Sequence, residues 1–434
     1  MTNQNTTYEY VILGSGIAGM SAAEAIRQQD KEAEILMISE EKELCFNRPM
    51  LINEFALDGS GAALFERMQN WPSEIGIQTR LGVTVKSIDK DAKALHLADG
   101  SSLHYGKLIC TPGARVSIPP IPGADKPHVY TVRTRADMRK IRSAMKTAKS
   151  AAVVGGGMLG LEDAWGLCEE KIHVSIIEQK QRVAFGQIDQ SAGNLMKKRI
   201  ERYDAEVFVN VSVQEIGDGW VSFVQMENTG GNSADGQLKK VPADLVILST
   251  GVTPNSEIAE AAGLEMGGPG KKWIAVDDSM HTSDPFIFAA GDAAALKGRN
   301  DAIWDEAREM GRVAGINAAG GNAAYIPVVA EHVFKGFDTE VFTMADSSGA
   351  GTDGVYIRHA DVEIFDYLRE RYIRVSLQDG IIAGLLLINA SELVPELMAA
   401  YKYRQGEEEA RRIIQDWKDS HDVNFKQASP FRKR

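Results

Sequence analysis

Apolar residues fall along this chain in two rhythms. Short, solid apolar runs recur at Tyr10-Val11-Ile12-Leu13, Ile35-Leu36-Met37-Ile38, Leu108-Ile109-Cys110, Ala151-Ala152-Val153-Val154, Val174-Ser175-Ile176-Ile177 and Leu245-Val246-Ile247-Leu248. Each is too short for a buried helix and is followed by a glycine, acid or hydroxyl residue, which predicts strands covered on both faces, as in a parallel sheet. Met20-Ser21-Ala22-Ala23-Glu24-Ala25-Ile26 between the first two runs, and the stretch through Trp165 before the fifth, have the spacing of packed crossover helices. A second rhythm alternates apolar with polar. It covers Val83 to Leu103 around Asp99-Gly100 and Arg182 to Val241 with Gly230-Gly231-Asn232 as a turn, and predicts small antiparallel layers. It returns at Val362 to Tyr367, Tyr372 to Leu377 and, after Asp379-Gly380, Ile381 to Ile388. The fold class is therefore α/β, with two doubly wound units followed by an α+β domain that begins near Tyr325.

The exits from the first and fourth runs carry the chemistry. After Leu13 comes Gly14-Ser15-Gly16-Ile17-Ala18-Gly19, and after Val154 comes Gly155-Gly156-Gly157-Met158-Leu159-Gly160. In each, the first glycine permits a tight turn, the second lets the backbone approach a pyrophosphate, and the third lets the helix press on the strand. The helix N-terminus adds unpaired N–H groups and a positive dipole end. The next strand of each unit ends at an acid, Glu40 and then Glu178, placed to accept hydrogen bonds from ribose hydroxyls. Two such fingerprints in one chain imply two bound dinucleotides. A carboxylate at Glu178 accepts a free 2′-hydroxyl but repels a 2′-phosphate, so the second site should prefer NADH to NADPH, a preference that Lys180 and Arg182 soften.

Composition narrows the classes of function. The 434 residues are 44% hydrophobic and 25% charged, which suits a globular protein of two or three domains. A formal charge of −12 argues against binding to nucleic-acid backbones. The polar start and the lack of any stretch of about 18 uninterrupted apolar residues predict a cytoplasmic protein with no membrane span. Three scattered cysteines, Cys45, Cys110 and Cys168, offer no CxxC pair and no cluster ligand set, so no metal is expected.

Individual residues leave alternatives open. Arg48 follows the second strand, where it can hold a phosphate or pair with a carboxylate, or lie solvated. Cys45 beside a redox ring is a candidate nucleophile, yet neither His nor Lys lies within two residues to activate it, and a packed small residue is the plainer reading. Arg133 to Lys149 is rich in basic side chains with Met138, Ile141 and Met145 at helical spacing, and reads as a helix with a solvated outer face. Ala410, Ile413, Ile414 and Trp417 share one face of the last helix, which either packs on its own domain or docks a partner; Arg432, Lys433 and Arg434 close the chain.

The two fingerprints, the strand exits Thr111-Pro112-Gly113 and Ser249-Thr250-Gly251, and the run Thr282-Ser283-Asp284-Pro285-Phe286-Ile287-Phe288-Ala289-Ala290-Gly291-Asp292 resemble the FAD-dependent pyridine nucleotide-disulfide oxidoreductase superfamily from about residue 8 to 320. The resemblance implies FAD on the first fingerprint, NAD(H) on the second, and Asp292 bonded to the ribityl or phosphate region, with Val85, Thr111, Gly113, Gly251, Gly291 and Trp304 also lining the cofactors. It implies a discontinuous FAD-binding domain of residues 1–118 and 245–324, an NAD-binding domain of residues 119–244, and a C-terminal interface domain of residues 325–434. The superfamily's CxxxxC disulfide is absent. Arg48-Pro49-Met50-Leu51, Gly157-Met158-Leu159-Gly160 and Trp304 look like the group containing NADH:rubredoxin reductases and the flavin module of nitrite reductases. The expected activity is hydride exchange between nicotinamide and flavin, with electrons passed to or from a one-electron carrier: rubredoxin, ferredoxin or an iron–sulfur subunit of a larger hetero-oligomeric complex. Glu162 and Arg48 are the residues expected at the nicotinamide–flavin junction, where they can pair. Two rivals stand beside this reading: an NADH oxidase, peroxidase or coenzyme A disulfide reductase-like enzyme using Cys45, and a non-enzymatic flavin-bound NADH sensor.

Overall fold

The computed structural model describes residues 6–44, 47–55, 67–226, 237–345, 361–366 and 368–427. Cys45, the expected turn Gly230-Gly231-Asn232 and the basic end Arg432 to Arg434 lie outside the described residues. The chain divides into two compact units, residues 1–117, 132–142 and 251–328 in one and residues 118–131, 143–250 and 329–434 in the other.

The first unit is built on strand β1 (Thr6–Leu13), helix α1 (Ile17–Gln29) and strand β2 (Ile35–Ser39). β1 lies between β2 and the strand Ser102–Cys110, parallel to both, with Leu13 opposite Ile38 on one side and Cys110 on the other. That register brings Gly14, Thr111 and the end of β2 out together at one edge, where an open parallel sheet presents ligands. Gln78–Leu81 extends the sheet past β2, and Ile287–Ala289 pairs in parallel with Ser102–Cys110. The alternating segment around Asp99-Gly100 forms no separate layer. Val85–Asp89 and Ala94–Leu97 pair antiparallel and continue the main sheet through the first half of Ser102–Cys110.

The second unit repeats the plan with β3 (Ser150–Val154), α2 (Met158–Glu169) and β4 (His173–Ile177) in a five-stranded parallel sheet. Val154 lies opposite Ile177 and Leu248, so Gly155, Glu178 and Ser249 emerge side by side. Leu245–Leu248 belongs to this sheet, which moves the return to the first unit from residue 245, as the sequence suggested, to after Thr250. The strand exits then meet in the first unit, where Val252–Pro254 pairs antiparallel with Ala114–Val116.

Residues 329–434 add a five-stranded antiparallel sheet covered by the helices Val394–Lys402 and Glu407–Gln427. The strands Asp361–Asp366, Arg371–Gln378 and Ile381–Ile388 are those the alternation predicts, turned at Asp379 and Gly380, both at positive φ. Ala410, Ile413 and Ile414 are buried against this sheet with Trp417 packed beside them, so that face of the last helix is spent on its own core. Asp189 ties the sheet to the nucleotide-type fold of the same unit. It caps the helix Gln190–Ile200 by accepting from the Ala192 N–H at 2.9 Å, and also accepts from the Tyr372 hydroxyl at 2.5 Å and Arg374 Nη1 at 2.9 Å.

In the first unit one guanidinium fixes the far end of α1. All five N–H groups of Arg27 donate to backbone carbonyls, those of Asp30, Lys31, Ala33, Ile75 and Gly76, at 2.7–3.2 Å. A lysine cannot reproduce this fork, so Arg27→Lys should lower the unfolding free energy by about 2 kcal/mol, read as a lower midpoint in urea; an unchanged midpoint would refute the role.

Candidate functional site

Two glycine turns of the same construction, one in each unit, are the candidate sites, each described within its own unit. In the first, Gly14 has φ +106°, and a Cβ there would lie 2.0 Å from the Thr111 carbonyl oxygen. A Cβ on Gly19 would lie 2.2 Å from the Gly14 oxygen, so α1 can press on the turn only without one. Gly16 differs: its backbone is ordinary extended (φ −72°, ψ 173°) and a Cβ would meet nothing within 4 Å. Its lack of a side chain therefore answers to no neighbour among the described residues and leaves open the space over the start of α1, where Ile17, Ala18 and Gly19 present their N–H groups.

The second turn matches. A Cβ on Gly155 (φ +110°) would lie 2.1 Å from the Ser249 carbonyl oxygen, and one on Gly160 would lie 2.0 Å from the Gly155 oxygen. Gly157, at φ −68° and ψ 174°, again faces open space at the start of α2, ahead of Met158 and the exposed Leu159. Glu178 stands beside this turn, one carboxylate oxygen accepting from the Gly156 N–H and the other from the Lys180 N–H, both at 2.6 Å. Glu40 follows β2 at the corresponding place by the first turn and is exposed.

Around the first turn the structure gathers several of the residues singled out by sequence. Gly291 (φ +72°) comes so near α1 that a Cβ would lie 2.9 Å from the Ala18 Cβ, which sets Asp292 beside the turn. The helix Trp304–Ala318 packs on α1 through Gly311, where a Cβ would lie 2.1 Å from the Ala18 oxygen. Asn255 holds the exit loop, bonding the Gly113 carbonyl through its N–H and the Pro112 carbonyl through its side chain. Gly113 and Gly251 are at positive φ in the two exits, and Val85 is buried at the start of its strand.

Sequence reasoning missed Arg133. It reads as part of a solvated basic face, yet its Nη2 donates to Asp292 Oδ2 at 2.7 Å and its carbonyl accepts from Arg48 Nη1 at 2.5 Å. Arg48 also binds Glu41 at 2.5 Å, and Glu43 pairs with Arg135 and Arg139. The only signal for Arg133 was its position just past the crossing. Arg133 Nε and the Trp304 indole N–H are buried donors with no partner among the described residues. Unpaired buried donors and an open glycine cradle suit a polyanionic cofactor with a polar ring edge.

In the second unit Glu162 sits on α2, and burial pushes its carboxyl up to about 7. Its proton is held more tightly than that of an exposed glutamate. Burial pushes the thiols of Cys110 and Cys168 up to about 12, which leaves both unreactive. Among the described residues no group of His, Cys, Asp and Glu is arranged to hold a metal, and no helix is long and apolar enough to cross a membrane.

Comparison with known proteins agrees with this construction. Residues 8–319 match the family described as pyridine nucleotide-disulphide oxidoreductase. A protein of Methanocaldococcus jannaschii named NADH oxidase is 32% identical over 76% of this chain and 74% of its own. The epsilon subunit of NADH-dependent phenylglyoxylate dehydrogenase of Aromatoleum evansii is 28% identical over 88% of each chain. The structure of NADH:rubredoxin oxidoreductase from Clostridium acetobutylicum superposes with a TM-score of 0.75, at 25% identity over 92% of this chain and 96% of that one. The chain belongs to the pyridine nucleotide-disulphide oxidoreductase family and is an FAD-dependent NAD(P)H oxidoreductase, with FAD and NAD(H) as its cofactors.

Proposed function

We propose that the first glycine turn holds FAD, that the second holds NAD(H), and that electrons pass singly between the flavin and a separate iron–sulfur or rubredoxin-type protein. The observation that carries this reading is the pair of turns, each with one glycine that no neighbour among the described residues requires to be small. When bound, the flavin supplies the step between two-electron hydride transfer and one-electron transfer. The protein's part is placement. Gly16 and the start of α1 receive the pyrophosphate, Asp292 held by Arg133 receives the hydroxyl-bearing chain, and Gly157 with Glu178 receives the second dinucleotide. Arg48, fixed by Glu41, stands by the first turn through the Arg133 carbonyl. Glu162 in this reading lies near the nicotinamide, where its protonation answers to the charge of the ring.

The acceptor is read from the chain's chemistry and its relatives. The described cysteines are buried and inert, and the full sequence has no CxxxxC pair, so an internal dithiol relay has no residues to use. Relatives of this length are named for rubredoxin and for a subunit of an NADH-dependent dehydrogenase. We favour the second setting: a subunit through which electrons from a substrate oxidised elsewhere in a complex reach NAD+. The name of the M. jannaschii relative supports a second reading, an NADH oxidase. The Cys45 version of that reading concerns a residue outside those described.

Two outcomes are expected. Because their backbone angles suit any residue, Gly16→Ala and Gly157→Ala should both fold; the first should purify without flavin, and the second should keep it while binding NAD+ at least about tenfold more weakly. The reverse pattern would exchange the two sites. With NADH, the purified protein should reduce rubredoxin or a small ferredoxin much faster than oxygen, and Cys45→Ser should leave that rate unchanged. Faster turnover with oxygen than with any carrier, abolished by Cys45→Ser, would favour the oxidase.

A further inference from the structure

Two basic residues follow Glu178 closely, Lys180 and Arg182, placed in sequence where cations would receive a 2′-phosphate. Lys180 is exposed, but Arg182 is turned into the fold at 6% relative exposure. Its Nε donates to the Ile188 carbonyl at 2.7 Å and its Nη2 to the Phe185 carbonyl at 3.1 Å, and the guanidinium carbon lies 4.2 Å from the centroid of the Phe185 ring. Its stem lies on the helix Gln190–Ile200, where a Cβ on Gly193 would stand 2.9 Å from the Arg182 Cβ. A guanidinium committed in this way does not serve an anion. Of the two cations expected to soften the preference for NADH, only Lys180 is placed to do so.

What Arg182 holds is a clasp on the second turn. Residues 178–188 leave β4 and return to Gly156 from both sides: the Gly156 N–H donates to Glu178 Oε2 at 2.6 Å, and the Gly156 carbonyl accepts from the Ala184 N–H at 2.7 Å. The Ala184 carbonyl in turn accepts from the Gln187 and Ile188 N–H groups at 2.8 and 3.0 Å. Ala184 has φ +45°, a left-handed conformation that an alanine keeps only where its surroundings impose it. Arg182 imposes it by tying down the carbonyls of Phe185 and Ile188, just beyond Ala184. The clasp also accounts for the extra glycine of the second fingerprint, because a Cβ on Gly156 would lie 3.1 Å from the Glu178 Cβ and 3.3 Å from Val183 Cγ1. The counterpart of Gly156 in the first turn is Ser15, which carries a side chain and donates its hydroxyl to that of Ser39 at 3.0 Å.

We infer that Arg182 is a positioning residue that decides which dinucleotide the second turn selects: by fastening the loop on Gly156 it fixes the Glu178 carboxylate, which takes a free 2′-hydroxyl and turns away a 2′-phosphate. The inference rests on the assignment of that turn to NAD(H). Both Glu178 oxygens accept backbone N–H groups, from Gly156 and Lys180 at 2.6 Å, so the carboxylate cannot swing aside for a phosphate without giving up both bonds. An acid free to rotate would yield to the phosphate and let Lys180 pair with it. An acid pinned at both oxygens keeps its charge where the 2′ substituent arrives, and the repulsion makes the selection.

Calorimetric titration of the flavin-loaded protein with NAD+ and, separately, NADP+ tests this, the readout being the ratio of the two affinities. Arg182→Met keeps the apolar stem and removes the donors. It should weaken NAD+ about five- to tenfold and change NADP+ by less than about twofold, so that the ratio falls while flavin content stays that of the parent. Arg182→Lys, which keeps the charge but not the fork, should lose less of the ratio than Arg182→Met. In a Glu178→Gln background Arg182→Met should lower the ratio no further, because it acts through that carboxylate. Gly156→Ala, whose Cβ presses on Glu178 and Val183, disturbs the clasp without touching Arg182; it should lower the ratio too, and keeps the question answerable if Arg182→Met does not fold. Equal losses of NAD+ and NADP+ in Arg182→Met, as a merely structural role predicts, would overturn the inference. So would a larger loss of NADP+ than of NAD+, a fall in ratio that adds to that of Glu178→Gln, or a parent that binds the two dinucleotides equally. Parent protein that takes up neither would instead remove the assignment of the turn, and the inference with it.

Discussion

The structure depends on two places where backbone meets backbone with no room for a side chain. At Gly14 and Gly155 a Cβ would stand about 2 Å from the carbonyl oxygen of the strand exit alongside, Thr111 in one unit and Ser249 in the other. These approaches join three consecutive structural edges: the end of the first strand, the start of its helix and the exit of a neighbouring strand. Gly19 and Gly160 then let each helix come down on the turn. With those collisions avoided, the middle glycine of each fingerprint is left facing empty space beside a helix N-terminus, and the open cradle follows from the closed contacts around it.

Charge is arranged around these cradles with more care than the acidic total suggests. Asp292 and Arg133 form a largely buried pair at 2.7 Å, and the Arg133 carbonyl in turn receives Arg48. Such a chain is worth little as a surface salt bridge, but inside a site it fixes orientation, which is what hydride transfer between two rings requires. On the second unit the acids act differently. Glu178 is clamped by two backbone N–H groups, while burial raises Glu162 and Asp163, so one helix start combines a fixed carboxylate with two that hold their protons more tightly than exposed acids do.

What the sequence made legible was local. Solid apolar runs closed by a glycine (β1 and β3) or by a hydroxyl or acid (β2 and β4) marked these strands, because a parallel strand buried on both faces has few other ways to be written. Asp292 was legible because it follows a strand and a glycine. Arg133, Glu41, Glu43 and Asp163 were not, because a charged side chain in an otherwise polar or helical stretch reads as solvated, and its burial depends on partners far along the chain. The same limit affected topology. Alternation announced antiparallel strands near Asp99-Gly100 but not that Ser102–Cys110 would pair antiparallel at one end and parallel to β1 at the other. It also left Leu245–Leu248 on the wrong side of a boundary, since an apolar run does not say which sheet it completes.

Reduction of the first dinucleotide by the second is the central claim, and anaerobic titration of the flavin-loaded protein with NADH measures it directly. One equivalent of NADH per bound flavin should bleach the flavin absorption band. A band that persists through an excess of NADH, in protein shown to bind NAD+, would contradict it.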